Sequence, residues 1–230
     1  MGAVYLVRHG QASFGKADYD ALSETGFEQA RVLGETLRSR LPRPDALFTG
    51  SLRRHRETAE ACQSTWGVDL KLQSLPGFDE FDQDELIRLH TPRYADPATL
   101  RQELMTTADP RRAFQELFTQ AVARWVSGQH DAEYQETWSA FRQRCTQALD
   151  TVLKTLGPSA TGVVFTSGGP ITAVCQELLH LPDEHAFRIN WMLTNCGVTK
   201  LIYSERGRYL STINEHAHFE GARRALITYR

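Results

Sequence analysis

An arginine and a histidine lie side by side where the first apolar run of the chain ends. The run is residues 3–7, and Arg8, His9, Gly10 and Gln11 follow it directly. A guanidinium binds phosphate or carboxylate through paired donors, and a neutral imidazole attacks phosphorus or moves a proton. Gly10 would let the backbone turn sharply beside them. These residue types predict chemistry on an oxyanion, although a histidine that merely ends a strand is the simpler alternative.

A second basic cluster follows the apolar run of residues 46–49. Residues 53–56 read Arg-Arg-His-Arg and come after Ser51, whose hydroxyl can cap a helix. The N-terminus of a helix favours an anion, because its free N–H groups and its dipole carry positive charge. The alternative is a solvated face, which basic residues on a helix usually form, and only one of these side chains need point inwards.

The elements that must position these residues alternate along the chain. The pattern predicts strands at residues 3–7, 46–49, 70–75, around 163–166, 197–203 and 209–213, and helices at 24–39, 52–66, 138–156 and 170–179. This alternation predicts an α/β fold, a single domain with a mostly parallel sheet flanked by helices. Residues of about 84–136 form a helical insert, which could be a lid over the substrate.

The order and spacing of these features resemble the histidine phosphatase superfamily, which includes phosphoglycerate mutases and small-molecule phosphatases. The resemblance rests on residues 6–11, Leu22, Ser23, Gly26, Gln29, Ala30, Leu52, Arg54, Thr58 and Ala59, with later echoes at Glu136, Phe141, Arg144, Asn214 and His218. It implies a phosphoglycerate mutase-like fold over residues 1–230. It also implies that His9 becomes phosphorylated while Arg8 and Arg54 hold the phosphoryl oxygens, without a metal or other cofactor.

A leaving alkoxide needs an acid, and residues 79–82 contain three carboxylates. Glu80 is our choice as the catalytic acid, because it follows the third apolar stretch as the family's glutamate does. Phe78 and Phe81 would raise its pKa by removing water. Asp79 and Asp82 are the alternatives, as is an acidic loop with no catalytic role.

The chain departs from the family pattern after its buried strand at residues 163–166. The family places its second histidine directly before a glycine pair, and this chain has Ser167 there, before Gly168 and Gly169. A hydroxyl and two backbone amides can still donate to a phosphate, but the serine carries no positive charge. His55, His216 or His218 could replace the missing donor, and a surface position is the commoner outcome for a histidine on a helix.

A second departure lies just after the nucleophile. Ala12 and Gly15 stand where family members often have a threonine and an asparagine that bind phosphate. Gln11 and Ser13 are the donors that could compensate, so we include both among the predicted phosphate-binding residues, together with Ser167 and Gly168.

Composition limits the classes of partner. The formal net charge of −2 over 230 residues leaves no footprint for nucleic acid or an anionic membrane. No apolar run approaches the roughly 20 residues of a membrane span. The four cysteines lack CxxC spacing and lie in apolar or helical stretches, which predicts buried thiols in a reducing, cytoplasmic setting.

The sequence therefore predicts a phosphomonoester hydrolase that acts through a phosphohistidine on a small phosphorylated metabolite, with slowed turnover if Ser167 is a weak substitute. A phosphoglycerate mutase-like phosphotransferase is one alternative, and a noncatalytic domain that binds phosphate or a phosphoprotein is another. A third alternative is an unrelated α/β enzyme that binds a nucleotide at Gly168 and Gly169. The sequence contains neither a Gly-x-Gly-x-x-Gly motif nor a P-loop to support it. The substrate and the oligomeric state are left open by the sequence.

Overall fold

The structure is a computed structural model that describes residues 1–13 and 20–229. Gly15, one of the two positions after His9 that were predicted to depart from the family pattern, lies outside these residues. Contacts divide the chain into two compact units. The sheet unit comprises Met1–Glu80, Arg144–Leu181 and His185–Arg230, and the helical unit comprises Phe81–Gln143 and Pro182–Glu184.

The sheet contains six strands in the described part of the chain. They are β1 Gly2–Arg8, β2 Ala46–Thr49, β3 Leu72–Ser74, β4 Thr161–Thr166, β5 Val198–Ser204 and β6 Gly207–Glu215. Their order across the sheet is β3-β2-β4-β1-β5-β6. The first four of these strands pair in parallel, whereas β5 and β6 pair antiparallel. The predicted mostly parallel sheet is confirmed.

Helices precede, follow or connect these strands. The α-helices are α1 Glu24–Arg40, α2 Arg53–Trp66, α3 Gln83–His90, α4 Pro97–Met105, α5 Pro110–Val126, α6 Trp138–Leu156, α7 Gly168–Leu179 and α8 Asp183–Met192. Short 3-10 helices span Pro76–Phe78, Pro92–Ala95, Asp131–Glu133, Ala217–Phe219 and Gly221–Leu226. No helix among the described residues is both long and apolar enough to cross a membrane.

Side chains from the central strands pack alternately on the two faces of the sheet. Leu6 and Val164 belong to a buried cluster with residues of α6 and α7, whereas Val7 and Val163 belong to a second cluster with residues of α1 and α2. This is the alternation that a pleated strand imposes. Because β1, β2, β3 and β4 are parallel, their carboxyl ends lie at one edge of the sheet, and α/β folds bind ligands at this edge.

The start of α2 differs from the prediction. Leu52 rather than Ser51 is its N-cap, and no side chain caps it. The Ser51 hydroxyl donates to Asp79 instead, so the predicted capping role of Ser51 is wrong. The neighbouring helix α1 does have a side-chain cap, since Ser23 accepts from the backbone N–H of Gly26 at 3.1 Å.

The helical unit has an aromatic core of its own. The Phe81 and Trp125 ring centroids lie 4.9 Å apart, and Trp125 also packs edge-on against Trp138 at 5.2 Å. The segment Pro182–Glu184 joins this unit through Asp183, which accepts from the Trp138 indole at 2.8 Å. That this unit acts as a lid stays a prediction.

Candidate active site

The end of β1 delivers His9 with its ring fixed. The His9 backbone N–H donates to the carbonyl of Thr166 in β4 at 2.8 Å, and its carbonyl accepts from the Asn195 side chain at 3.0 Å. Ring atom Nδ1 lies 2.7 Å from the carbonyl oxygen of Gly10. Since a carbonyl only accepts, Nδ1 carries the proton, and Nε2 retains the lone pair that a nucleophile needs.

His9 lies in an environment that keeps its ring neutral. The side chain is buried, and burial is the largest cause that holds the pKa of His9 well below its usual value. The positive charges of Arg54 and Arg8, and then His55, act in the same direction, against the hydrogen bond to Gly10. A neutral imidazole flanked by two guanidinium groups is suited to attack an electrophile that brings negative charge.

Gly10 is needed for a different reason from the one predicted. Its φ is not among the positive values of the described glycines, so it makes no left-handed turn. A Cβ at Gly10 would instead lie 2.5 Å from the carbonyl oxygen of Gly26 in α1. The Gly10 N–H donates to the Thr58 hydroxyl at 3.0 Å, and that hydroxyl donates to the Arg54 carbonyl at 2.6 Å. Thr58 thus ties the loop after β1 to α2.

Of the three arginines at the start of α2, Arg54 is the buried one. Its guanidinium lies 2.7 Å from Asp20 Oδ1. Arg53 pairs with Glu57 at 2.6 Å, and Arg56 is exposed. The geometry therefore places the guanidinium of Arg54, the arginine selected from the sequence, close enough to His9 for its charge to lower the pKa of that histidine.

Arg8 is positioned by carbonyl groups from distant parts of the chain. Its NH1 donates to the carbonyl of Leu193 and, at 2.7 Å, to that of Tyr229. A Cβ added to Gly168 would lie 3.8 Å from Arg8 Nε, so the start of α7 lies beside this side chain. Arg8 and Gly168, both predicted to bind phosphate, are brought together.

Gln11 and Ser13, the two donors predicted after His9, form hydrogen bonds with residues in or just before α1. The Gln11 side-chain oxygen accepts from the Ser23 hydroxyl at 2.9 Å, and the Gln11 N–H donates to Gln29 at 2.8 Å. The Ser13 hydroxyl donates to the carbonyl of Leu22 at 3.0 Å. These bonds hold the segment after His9 against the start of α1.

Glu80 contacts the turn between β4 and α7. Its Oε2 accepts from the Gly169 N–H at 3.2 Å. The two alternative carboxylates have local partners, since Asp79 accepts from the N–H and the hydroxyl of Ser51 and Asp82 caps α3. Arg144 supports the loop before Glu80 by donating to carbonyls that include that of Asp79 at 3.0 Å. Of the three carboxylates, Glu80 is the one that contacts the amide end of α7.

His55 differs most from its predicted position, since the sequence favoured a place on the surface. It is fully buried rather than on the surface, and its ring centroid lies 5.7 Å from that of His9. Its Nε2 lies 2.6 Å from the Ser167 hydroxyl oxygen. His216 bonds to the Asn214 carbonyl and His218 packs against Phe219, where burial lowers the pKa of His218 to about 4. The signal for His55 was its position next to Arg54.

The site offers nucleophilic and electrostatic groups. His9, Arg8, Arg54 and the amide-rich turn at Gly168 converge at one sheet edge, together with Glu80. Among the described residues, no group of three or more His, Cys, Asp or Glu side chains is arranged to hold a metal ion. The arrangement can perform covalent catalysis on an anionic ester.

Solved structures with the same fold include enzymes that act on phosphate esters. A phosphoserine phosphatase from Entamoeba histolytica, crystallised with phosphoserine, is 17% identical, with a TM-score of 0.65 over 95% of this chain and 99% of that one. A phosphoglycerate mutase from Bacillus anthracis is also 17% identical, with a TM-score of 0.64 over 94% of each chain. A mycobacterial glucosyl-3-phosphoglycerate phosphatase is 21% identical, with a TM-score of 0.63 over 93% and 99%.

Sequence comparison adds one result at the level of the family. No curated protein matches the chain. The family model for the histidine phosphatase superfamily, branch 1, matches residues 4–216, which is most of the chain. The match includes His9, Arg54, Glu80 and the turn at Ser167. The chain belongs to branch 1 of the histidine phosphatase superfamily.

Proposed function

We propose that the protein is a metal-independent phosphomonoester hydrolase that acts on a small phosphorylated metabolite through a phosphohistidine. The observation that carries this proposal is the state of His9. Its ring is buried and neutral, its Nδ1 proton is held by the Gly10 carbonyl, and two arginine charges lie close by. Such a ring presents Nε2 as a nucleophile before substrate arrives.

In the first step, the Nε2 lone pair forms a bond to phosphorus as the ester P–O bond breaks. The electron pair of that bond goes to the leaving oxygen, which takes a proton from Glu80. The guanidinium groups of Arg8 and Arg54, with the Gly168 N–H at the start of α7, stabilise the redistributed charge. The Gly10 carbonyl accepts from the Nδ1–H of the phosphorylated ring.

In the second step, water forms a bond to phosphorus as the N–P bond breaks. The electron pair returns to Nε2, and Glu80 takes the proton of the water. Inorganic phosphate leaves with His9 neutral and Glu80 protonated, as at the start. The hydrogen bond from Gly169 holds Glu80 beside the phosphoryl site in both steps.

The test is hydrolysis of an activated aryl phosphate without added metal, by wild-type protein and by His9→Ala. We expect turnover that the variant loses, and a phosphoryl adduct on His9 in rapidly quenched wild-type protein by mass spectrometry. Folded wild-type protein that forms no adduct and releases no phosphate would refute the proposal. Glu80→Gln should slow hydrolysis of alkyl phosphates far more than of aryl phosphates, and equal losses would remove Glu80 as the acid.

A mutase-like transfer is the second candidate, because one protein with the same fold is a phosphoglycerate mutase. Release of inorganic phosphate from phosphoserine and phosphoglycerate, measured beside transfer to an added hydroxy acid, separates the two activities. A noncatalytic domain would bind inorganic phosphate without forming the adduct.

The four cysteines are all buried thiols, which agrees with the predicted cytoplasmic setting.

A further inference from the structure

Ser167 does not use its hydroxyl as a serine before a helix ordinarily does. It is the N-cap residue of α7, yet its side chain accepts no hydrogen bond from the helix amides. A serine at this position usually caps, because the free N–H groups need an acceptor. Its oxygen lies instead 2.6 Å from Nε2 of His55, and both side chains are fully buried. Gly169 donates to Glu80, and the Gly168 N–H is thus left for another acceptor.

The surroundings of His55 determine which ring nitrogen carries its proton. Burial, and then the charge of Arg54, hold the pKa of His55 well below its usual value, so the ring has a single N–H. Nδ1 is buried and has no hydrogen-bond partner among the described residues. The nearest carboxylate oxygen, Oδ1 of Asp79, is 3.8 Å away, beyond hydrogen-bond length. A buried N–H without a partner is rarer than an unsatisfied acceptor, which favours the proton on Nε2.

The backbone leaves room for His55 at this position. A Cβ on Gly50, directly after β2, would lie 2.3 Å from Nδ1 and 2.6 Å from Oδ1 of Asp79. Asp79 itself is fixed by two hydrogen bonds from Ser51. The ring of His55 therefore lies between Gly50 and Ser167, with its centroid 5.7 Å from that of His9.

We propose that His55 and Ser167 together replace the second phosphate-binding histidine that this chain lacks, an inference that rests on the proposed function of His9. The Nε2–H of His55 donates to the Ser167 oxygen. The serine then has one hydrogen left, and that O–H donates to a phosphoryl oxygen bound at His9. Ser167 is the catalytic donor, and His55 is a positioning residue that acts through it.

With the opposite tautomer of His55, the pair could not donate a hydrogen bond to the substrate. With the proton on Nδ1, Nε2 would accept the serine hydrogen, and no donor would remain for the phosphoryl oxygen. The proposal therefore specifies a direction for the hydrogen bond as well as a contact. This direction can be measured by ¹⁵N NMR of the histidine rings in wild-type protein with orthovanadate bound.

A double-mutant cycle tests the proposal with Ser167→Ala, His55→Phe and the double variant. The readouts are kcat/KM for an aryl phosphate and the dissociation constant of orthovanadate, which mimics the transferring phosphoryl group. We expect Ser167→Ala to weaken both by about 10²-fold, in the range for loss of one transition-state donor. His55→Phe should approach the same loss, and the double variant should be no worse than Ser167→Ala, because the two residues act as a unit.

Two further variants separate positioning from packing. His55→Gln keeps an amide N–H that can reach the serine, and it should recover most of the loss in vanadate affinity. Thr172→Val is the matched control, since it removes another fully buried hydroxyl from α7, and it should leave both readouts unchanged. Recovery in His55→Gln with loss in His55→Phe is not expected from a purely structural role of the ring.

The outcomes separate this inference from the proposed function. Wild-type turnover that depends on His9, with His55→Phe at wild-type level or with additive losses in the cycle, overturns the inference and leaves the hydrolase. Tight vanadate binding that both single variants weaken, without turnover, supports the inference and removes the hydrolase. If His55→Phe does not fold, the NMR result decides, and a dominant Nδ1–H tautomer at His55 in the vanadate complex overturns the proposal.

Discussion

The strands β1 and β4 are neighbours in the sheet and end at the same edge, but the loops that follow them are built differently. The loop after β1 carries its functional group within its own motif, and surrounding residues such as Thr58 and Asn195 only hold it. The turn after β4 has a serine whose partner comes from α2, 112 residues away along the chain. If His55 and Ser167 act as proposed, the donor at the turn after β4 depends on a residue of another element, whereas the group after β1 does not.

The largest expected effect is at the start of α2, the helix that contacts both loops. Arg54→Ala should lower kcat/KM for an aryl phosphate by about 10³-fold, because a buried guanidinium beside the nucleophile would no longer stabilise the phosphoryl charge. The control is Arg56→Ala, two residues further on, where the side chain is 60% exposed. Steady-state kinetics on both variants check this, and equal losses would mean that the charge of α2 acts only at long range.

Replacing Ser167 by the histidine that the resemblance predicted at this position is expected to lower activity. Ser167→His would put an imidazole where the ring of His55 already lies 2.6 Å from the serine oxygen, so we expect kcat/KM to fall by at least ten-fold. Combining it with His55→Ser, which exchanges the two residues, should recover part of the loss. A higher kcat/KM in Ser167→His alone would contradict this expectation, because it would mean that the turn after β4 accommodates the larger side chain.

Gly50→Ala disturbs the pair without changing either member. The new Cβ would lie within 3 Å of His55 Nδ1, so the ring must move, and we expect a roughly ten-fold loss of orthovanadate affinity. Binding and thermal unfolding are measured together. Normal affinity with a normal melting temperature would mean that the position of His55 is unimportant to the phosphoryl site.

The smallest expected effect is on stability at low pH. The pKa values of His9 and His55 are lowered in the folded protein, so below about pH 6.5 the unfolded chain binds protons that the folded one does not. Stability should therefore be complete above that pH and decline as pH falls towards the folded pKa values. Each histidine contributes a slope of up to about 1.4 kcal/mol per pH unit.

The measurement is chemical unfolding of wild-type protein and His55→Phe at pH 7.5 and pH 5.5. The variant should lose less stability between these values than wild-type protein does. Equal losses would place the pH sensitivity in other groups, among which His218, with a pKa of about 4, is the first to replace.

The sequence was sufficient where function and local pattern coincide. The strand before His9 and the bounds of β2 and α6 follow from apolar runs and helical spacing. The mostly parallel sheet follows from the alternation of elements. These features depend on neighbours in sequence, which is the information that periodicity contains.

The sequence was insufficient where a contact joins distant residues. Nothing in the local pattern around Ser51 indicates that its hydroxyl binds Asp79 rather than capping α2. Gly10 was attributed to a turn, whereas the backbone of Gly26 is what excludes a side chain there. The segment Pro182–Glu184 also belongs to the helical unit, although the predicted insert ended near residue 136.

The contact between His55 and Ser167 has a consequence for the family's history. If the two residues act as the proposed unit, a change at either position should weaken phosphoryl binding unless the partner changes too. Relatives with a serine before the glycine pair should therefore carry a histidine directly after the second arginine. Relatives that have a histidine before the glycine pair should have a small side chain there, so that the two positions vary together.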